Sequence, residues 1–342
     1  MAQRKGKYTI VFDDPPMIKS SAAIGSKKEA QGPLKHIFDV INEDSYFGQA
    51  TWEKAESRMQ QDTVTKALEK GQLSASQVDC VFAGDLLNQC VGSTYGLRDL
   101  GMPFVGLYGA CSTMAESLMV CSVFLEAGAI QRGVAVTSSH FCTAERQYRF
   151  PLEYGGQRTP TAQWTATASG AAVLEKGDCP PFIRACTVGT IEDLGVTDAN
   201  NMGAAMAPAA AMTIKHFFED TKTNGDNYDL IITGDLGKVG TRLLRELLLQ
   251  DGYNIEHAHT DCGLILYDMD KQDVHAGASG CGCSASVMCG HFIPLIKSGK
   301  LNNVLFVATG ALLSPTVVQQ GESIACIAHL IYLSSQKEGG RV

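Results

Sequence analysis

What this chain lacks narrows its class first. No apolar run approaches the ~20 residues that span a bilayer, and the best candidate, "IACIAHLIYL" from Ile324 to Leu333, reaches about half of that. The apolar run Tyr8–Phe12 is too short for the core of a secretory signal, so a soluble chain in a reducing compartment is expected. Charge is sparse: Asp, Glu, Lys and Arg make up 19% of 342 residues, with a formal net charge of −8. That balance argues against nucleic acid and anionic lipid surfaces as main partners. The basic residues between Arg4 and Arg58 are scattered, as on a solvated face, and do not gather into a binding arm.

Cysteine is plentiful, at twelve, yet no C-x-x-C pair occurs. Cys281 and Cys283 have one residue between them, too tight for the usual zinc loop. Without a secretory segment these thiols read as packed side chains, not as a disulfide framework. No metal or cofactor is expected.

What is present is a large apolar fraction, 45%, enough for two half-domains around a shared sheet system. "VDCVFAGDL" (Val78 to Leu86) and "YDLIITGDL" (Tyr228 to Leu236) share one pattern at an offset of 150 residues. Each is a short apolar run closed by a glycine turn, the form of a strand buried on both faces. A second echo, "EAGAIQRGVAVTSS" and "KSGKLNNVLFVATG", follows in the same order, each behind a turn of small residues, "GACSTMAES" and "GCGCSASVM". Their shared order predicts a duplicated α/β unit, with halves 1–178 and 179–342. Strands are predicted at Val134–Ser138 and Gly170–Leu174. Met114, Leu118, Cys121 and Leu125 recur at helical spacing, and apolar residues on the other faces predict a core helix stopped by Gly128.

In "LYGACSTMAESLMVC", Cys111 stands where a strand ends and that helix begins. Unpaired N–H groups and the helix dipole there favour a thiolate and can hold a developing oxyanion. A nucleophile and one more buried thiol are both compatible with the spacing.

The stretch from Gly106 through "WTATASGAAVLEK", with "YDLIITGDLGKVG" and "GASGCGCSASVMCGHFIPL", resembles the thiolase superfamily, and in particular its 3-ketoacyl synthases. "MIKSSAAIGSKKEAQGPL" and "TDANNMGAAMAPAA" add a resemblance to a sporulation family of spore-forming bacteria within that superfamily. The resemblance implies a five-layered αβαβα fold of two similar halves, homodimeric, with a nucleophile elbow at Cys111. It also implies two polar partners for that thiol. The first position falls at Gly234 to Gly237, where no His stands, and the second falls at Cys281. His275 in "HAGASG" lies too far upstream and reads as a loop histidine, while His257 and His259 are candidates to approach the site.

The implied function is therefore binding without catalysis, of dipicolinic acid (pyridine-2,6-dicarboxylate) or its calcium chelate. It would support transport of that solute in sporulation and germination, from a peripheral position on the inner spore membrane beside the membrane proteins of the dipicolinate channel. A flat dianion favours N–H groups at helix starts, so Cys111, Ser112, Cys281 and Cys283 are expected at the ligand, with Asp235 and His259 beside them. Met202 is expected to wall the ring, as is Met206; Arg158, with Arg146 and Arg149 in the same insertion, is the candidate counter-charge. The alternatives are a cysteine-dependent acyltransferase or condensing enzyme using Cys111, and a structural scaffold with a vestigial pocket.

Overall fold

The computed structural model describes residues 2–148 and 157–338; Arg149 lies outside them. Ten strands form the core of a thirteen-stranded sheet among the described residues. In the first half they are β1 (Met17–Ser26), β2 (Cys80–Gly84), β3 (Phe104–Gly106), β4 (Arg132–Ser139) and β5 (Ala168–Glu175). In the second they are β6 (Phe182–Thr187), β7 (Leu230–Thr233), β8 (His259–Asp261), β9 (Asn303–Ala311) and β10 (Cys326–Ser334).

Their spatial order is β3-β2-β4-β5-β1-β6-β10-β9-β7-β8, which runs outward in the same sequence on both sides of its centre. Pairing directions repeat as well. β2 is parallel to β3 and β4, β5 is antiparallel to β4 and β1, and the second half reproduces each relation. The two sequence echoes are β2 with β7 and β4 with β9, so the repeated pattern is the sheet itself. A single pair, Phe182 with Met17, joins β6 to β1.

The helices of seven residues or more among the described residues are α1 (Trp52–Gly71), α2 (Val91–Leu97), α3 (Thr113–Glu126), α4 (Phe141–Tyr148), α5 (Met202–Thr221), α6 (Gly237–Gln250) and α7 (Cys281–Val287). α3 touches β2 and β4 on one side and β9 and β10 on the other, while α7 rests on β5, β4 and β1. α1 covers the outer face of the first half and α5 that of the second, each backed by a further helix. Five layers result, with α3 and α7 in the middle.

A middle layer has no solvent face, which explains why α3 is apolar all round: Met114, Leu118 and Cys121 are wholly buried. Truncating Leu118 to Ala removes about 2–5 kcal/mol in such a site. Small residues let α7 sit backbone against backbone on β5. A Cβ on Gly282 would stand 2.2 Å from the Ala168 carbonyl oxygen, and one on Gly170 2.2 Å from that of Ala285. At the end of α3, Gly128 takes φ +69, and the Ala129 N–H bonds the Phe124 carbonyl at 3.0 Å, the stop that its position predicts.

The first half also buries a polar cluster beneath α1. Glu56 accepts from Thr143 Oγ1 at 2.7 Å and Ser138 Oγ at 3.2 Å. Nearby, Asp85 accepts from the Ser93 N–H at 2.7 Å and the Leu87 N–H at 2.9 Å. Burial, then the neighbouring Asp85 charge, pushes the Glu56 carboxyl up to about 8 from an ordinary 4.5. Burial likewise pushes Asp261 up to about 7.

A carboxyl with a raised folded pKa keeps its proton while the unfolded chain loses its own. Stability therefore falls as pH rises from about 4.5 to about 8 and levels off above that. Urea denaturation at several pH values across this window is expected to show that decline. Glu56→Gln should flatten it by up to about 1.4 kcal/mol per pH unit, the linkage slope of one proton. Equal slopes in the two proteins would refute the assignment.

Candidate functional site

β3 ends at Gly106, and the chain turns through Gly109 into a short 3-10 turn, Ala110–Ser112, that runs straight into α3. Ala110 takes φ +50, a left-handed conformation that a residue with a Cβ adopts only under constraint. The constraint is visible. Ser112 Oγ and Thr113 Oγ1 bond the carbonyls of Gly109 and Ala110 at 2.7 Å each. From the other half, Gly310 in β9 comes so close that a Cβ there would lie 2.0 Å from the Gly109 oxygen. Cys111 is held at this elbow, 5% exposed, at the floor of a cavity.

The cavity lies between the two halves and holds about 390 Å³ of empty space, its open mouth included. The first half supplies Leu86, Ala110, Cys111, Ala144, Tyr148 and Thr165 to its walls, and the second supplies Met202, Ser279, Ala311 and Leu313. A two-residue parallel pairing of Trp164–Thr165 with Ala278–Ser279 brings the two hydroxyls, Thr165 and Ser279, to the same wall. The walls are mainly apolar, and among the described residues they carry no Lys, Arg or His.

Behind Cys111 lies Asp235, fully buried. Its carboxyl accepts from the Gly280 N–H at 2.8 Å, Thr309 Oγ1 at 3.0 Å and Ser279 Oγ at 3.3 Å, and it lies near enough to Cys111 for each group to shift the other's pKa. Burial raises the Asp235 pKa, against the pull of the Cys111 thiol and those three donors. For Cys111, burial, the Asp235 charge and Cys281 all push the thiol well above its usual range, and the Gly280 N–H only partly opposes them. The position at a helix start predicts the opposite direction. Desolvation and a facing carboxylate outweigh the helix dipole, whose influence is worth at most about 2 kcal/mol.

The expected site residues separate accordingly. Cys111 and Met202 line the cavity; Ser112, Asp235, Cys281, Cys283, His259 and Arg158 do not. Ser112 is wholly buried, its hydroxyl turned back to Gly109. Cys281 packs in one cluster with Cys111, and its thiol donates to the Ser138 carbonyl at 2.9 Å. Two residues along the same helix is about 200° around it, so Cys283 faces the core instead. The N–H groups expected to hold carboxylates at the start of α7 are already taken: Gly280 bonds Asp235, and Gly282 bonds Ser139 Oγ at 3.1 Å.

His259 sits on β8, the far edge strand, with Thr233 Oγ1 at 3.0 Å from one nitrogen and Arg245 Nε at 3.2 Å from the other. Burial, then the Arg245 charge, depresses it to about 3. His257 lies exposed beside Asp226 at 3.2 Å. His275 bonds the Thr159 carbonyl at 2.7 Å and Asp273 at 2.9 Å, as a loop histidine. Arg158 pairs with Asp273 at 2.9 Å and lies 4.7 Å over the Trp164 ring, while Arg146 pairs with Glu53. Met206 is core.

Sequence reasoning missed eight of the ten cavity residues, among them the hydroxyl-bearing Thr165, Ser279 and, most tellingly, Tyr148. Its hydroxyl bonds the Leu86 carbonyl and meets the Tyr108 hydroxyl at 2.7 Å. Burial, then Tyr108, holds it protonated. The available signal was an aromatic in the insertion after β4, where only the arginines were weighed. Among the described residues no group of three or more His, Cys, Asp or Glu side chains converges to hold a metal ion.

Residues 6–334 match the family model described as stage V sporulation protein AD. Over 324 residues the chain is 47% identical to the stage V sporulation protein AD of Bacillus subtilis (strain 168), covering 95% of this chain and 96% of that one. The fold is similar to 3-oxoacyl-[acyl-carrier-protein] synthase III from Aquifex aeolicus VF5, with TM-score 0.56, 12% identity, and coverage of 93% and 99% of the two chains. It is similar also to a single-substitution variant of OleA from Xanthomonas campestris, with TM-score 0.60, 13% identity, and coverage of 95% and 99%. At such identities the solved structures establish a thiolase-like fold.

If Asp235 holds the Cys111 thiol protonated, Asp235→Asn should lower the thiol pKa. Alkylation of Cys111 by iodoacetamide near pH 8, followed by mass spectrometry, is then expected to accelerate at least about tenfold, the change in thiolate for one pKa unit. An unchanged rate in a normally folded variant would rule that role out.

Proposed function

Because the chain belongs to the stage V sporulation protein AD family, we propose that it is a binding protein of the spore and not an enzyme. Its ligand is dipicolinic acid, taken up as the calcium chelate in the cavity above Cys111. The observation that carries this reading is the face that Asp235 presents to Cys111. A condensing or acyl-transfer step needs a thiolate and a donor for the oxyanion. Asp235 works against the thiolate by helping to raise the Cys111 pKa, and its oxygens already serve as acceptors for Gly280, Thr309 and Ser279. What remains is an apolar, two-sided cavity with a few hydroxyls, the composition of a small-molecule site.

Charge selects between the two forms of the ligand. Among the described residues the cavity walls offer the free dianion no Lys or Arg, and burying such a charge unpaired is costly. A one-to-one chelate with calcium is neutral, and the hydroxyls of Thr165, Ser279 and Tyr148 with the Leu86 carbonyl are oxygen groups of the type calcium accepts. Transport of this solute in sporulation and germination would then be served from a peripheral position beside membrane partners. No helix among the described residues is long and apolar enough to cross a membrane. The open edge of β3, with Phe104 and Tyr108 exposed, supports a homodimer.

Isothermal titration with dipicolinate, with and without equimolar calcium, is the test. Binding should be stronger by tenfold or more with calcium. Ala144→Phe, which fills the cavity, should abolish it without lowering the melting temperature, and Tyr148→Phe should weaken it several-fold. No heat under either condition would favour a scaffold with a vestigial pocket.

The fold and the elbow position of Cys111 keep the acyltransferase reading as the second one. Incubation with acyl-CoA followed by intact-mass measurement is expected to leave Cys111 unmodified; a stoichiometric acyl adduct would reverse the assignment.

A further inference from the structure

The second half carries a surface that the cavity reading does not use. Between β6 and α5 the chain runs through residues 188–201 without helix or strand, one isolated bridge apart. It is nonetheless pinned along its length to the hairpin that joins β9 to β10. Glu192 and Cys326 exchange backbone hydrogen bonds at 2.8 and 2.9 Å, the Ile324 N–H bonds the Val196 carbonyl at 2.9 Å, and Ser323 Oγ bonds Asp193 at 2.6 Å.

Such anchoring normally turns large apolar side chains inward. Here Ile191 is 66% exposed and Leu194 69%, with Val188 beside them, and Val317 of the hairpin is exposed as well. Long ordered loops that hold apolar side chains in solvent mark contact surfaces.

Charge on the two segments is one-sided. From Ala185 to Ile214 and from Leu312 to Gln336 there is no Lys or Arg, whereas Glu192, Asp193, Asp198 and Glu322 all lie there. An anionic lipid surface is repelled by this rim, so the exposed side chains do not suit membrane insertion. An apolar segment flanked by Lys and Arg satisfies both features at once. The face is also the outer side of a cavity wall. Leu313 from the hairpin and Met202, directly after the loop, line the cavity from within.

We propose that the loop 188–201 and the adjoining hairpin form the docking face for a protein partner, through a segment of apolar residues flanked by basic ones. The apolar anchors are Ile191 and Leu194, and the acidic rim sets the partner's charge. This face does not depend on what the cavity binds.

The test uses the full chain and three probes. These are a labelled Leu/Ile peptide flanked by Lys and Arg, the same peptide flanked by Glu, and phosphatidylglycerol vesicles. The basic peptide is expected to bind and to weaken with salt, and the other two are not. The Ile191→Ser/Leu194→Ser pair should lose roughly tenfold in affinity, and the Glu192→Lys/Glu322→Lys pair a comparable amount, with native melting in both. No binding of the basic peptide, affinity unchanged in both pairs, or preferential binding of the vesicles would each overturn the proposal. Titration of calcium dipicolinate into the same variants is expected to be unchanged, so failure of this face and failure of the cavity reading give different results.

Discussion

One buried carboxylate holds the centre of this molecule together. Asp235 follows β7, yet its oxygens reach the start of α7 through Gly280 and the strand β9 through Thr309, and its electrostatic influence reaches the Cys111 thiol at the elbow of the other half. A carboxylate without water is costly unless donors surround it. Here the donors come from two separate segments, Ser279–Gly280 and Thr309 of β9, so satisfying the carboxyl fixes their mutual positions. The raised pKa values of Asp235 and Cys111 are two consequences of that arrangement.

The duplication shows how the same sequence pattern acquired two duties. In the first half, Asp85 follows β2 and caps the next helix, accepting from Leu87 and Ser93. In the second, Asp235 holds the equivalent place but does not cap. Asp261, from the neighbouring strand, accepts the N–H groups of Leu236 and Gly237 at 2.9 Å each and takes over that task. Asp235 is thereby released to turn toward the junction of the halves. The cavity forms at this junction because walls from both halves converge there and neither half can close it alone.

The arrangement accounts for the chemical character of the site. A protonated thiol, apolar walls and a few hydroxyls make a receptacle, and under the proposed function its neutrality is what selects a chelated ligand. The strained turn at Ala110 and the close approach of Gly310 fix the elbow that holds Cys111.

Much of this was legible in the residues. Buried strands betray themselves by apolar runs closed by glycine, so the two echoes and the middle helix could be read as a duplicated α/β unit. The helix was recognisable because a segment packed on both sides must be apolar all round. The residues after β7, Gly234 to Gly237, could be read to contain no histidine. Direction was not legible. Nothing in "GCGCSAS" says that Cys283 turns to the core while Cys281 packs beside Cys111, or that His259 ends on a far edge strand. Tyr148 was missed because its role arises from where α4 lands, across the junction from Met202. Local pattern thus determined the elements and their duplication, because periodicity and burial are properties of neighbouring residues. Which groups meet, and which way the Cys111 pKa moves, was decided only by the tertiary structure, because desolvation and the Asp235 charge reach the thiol from a distant part of the chain, in the other half of the molecule.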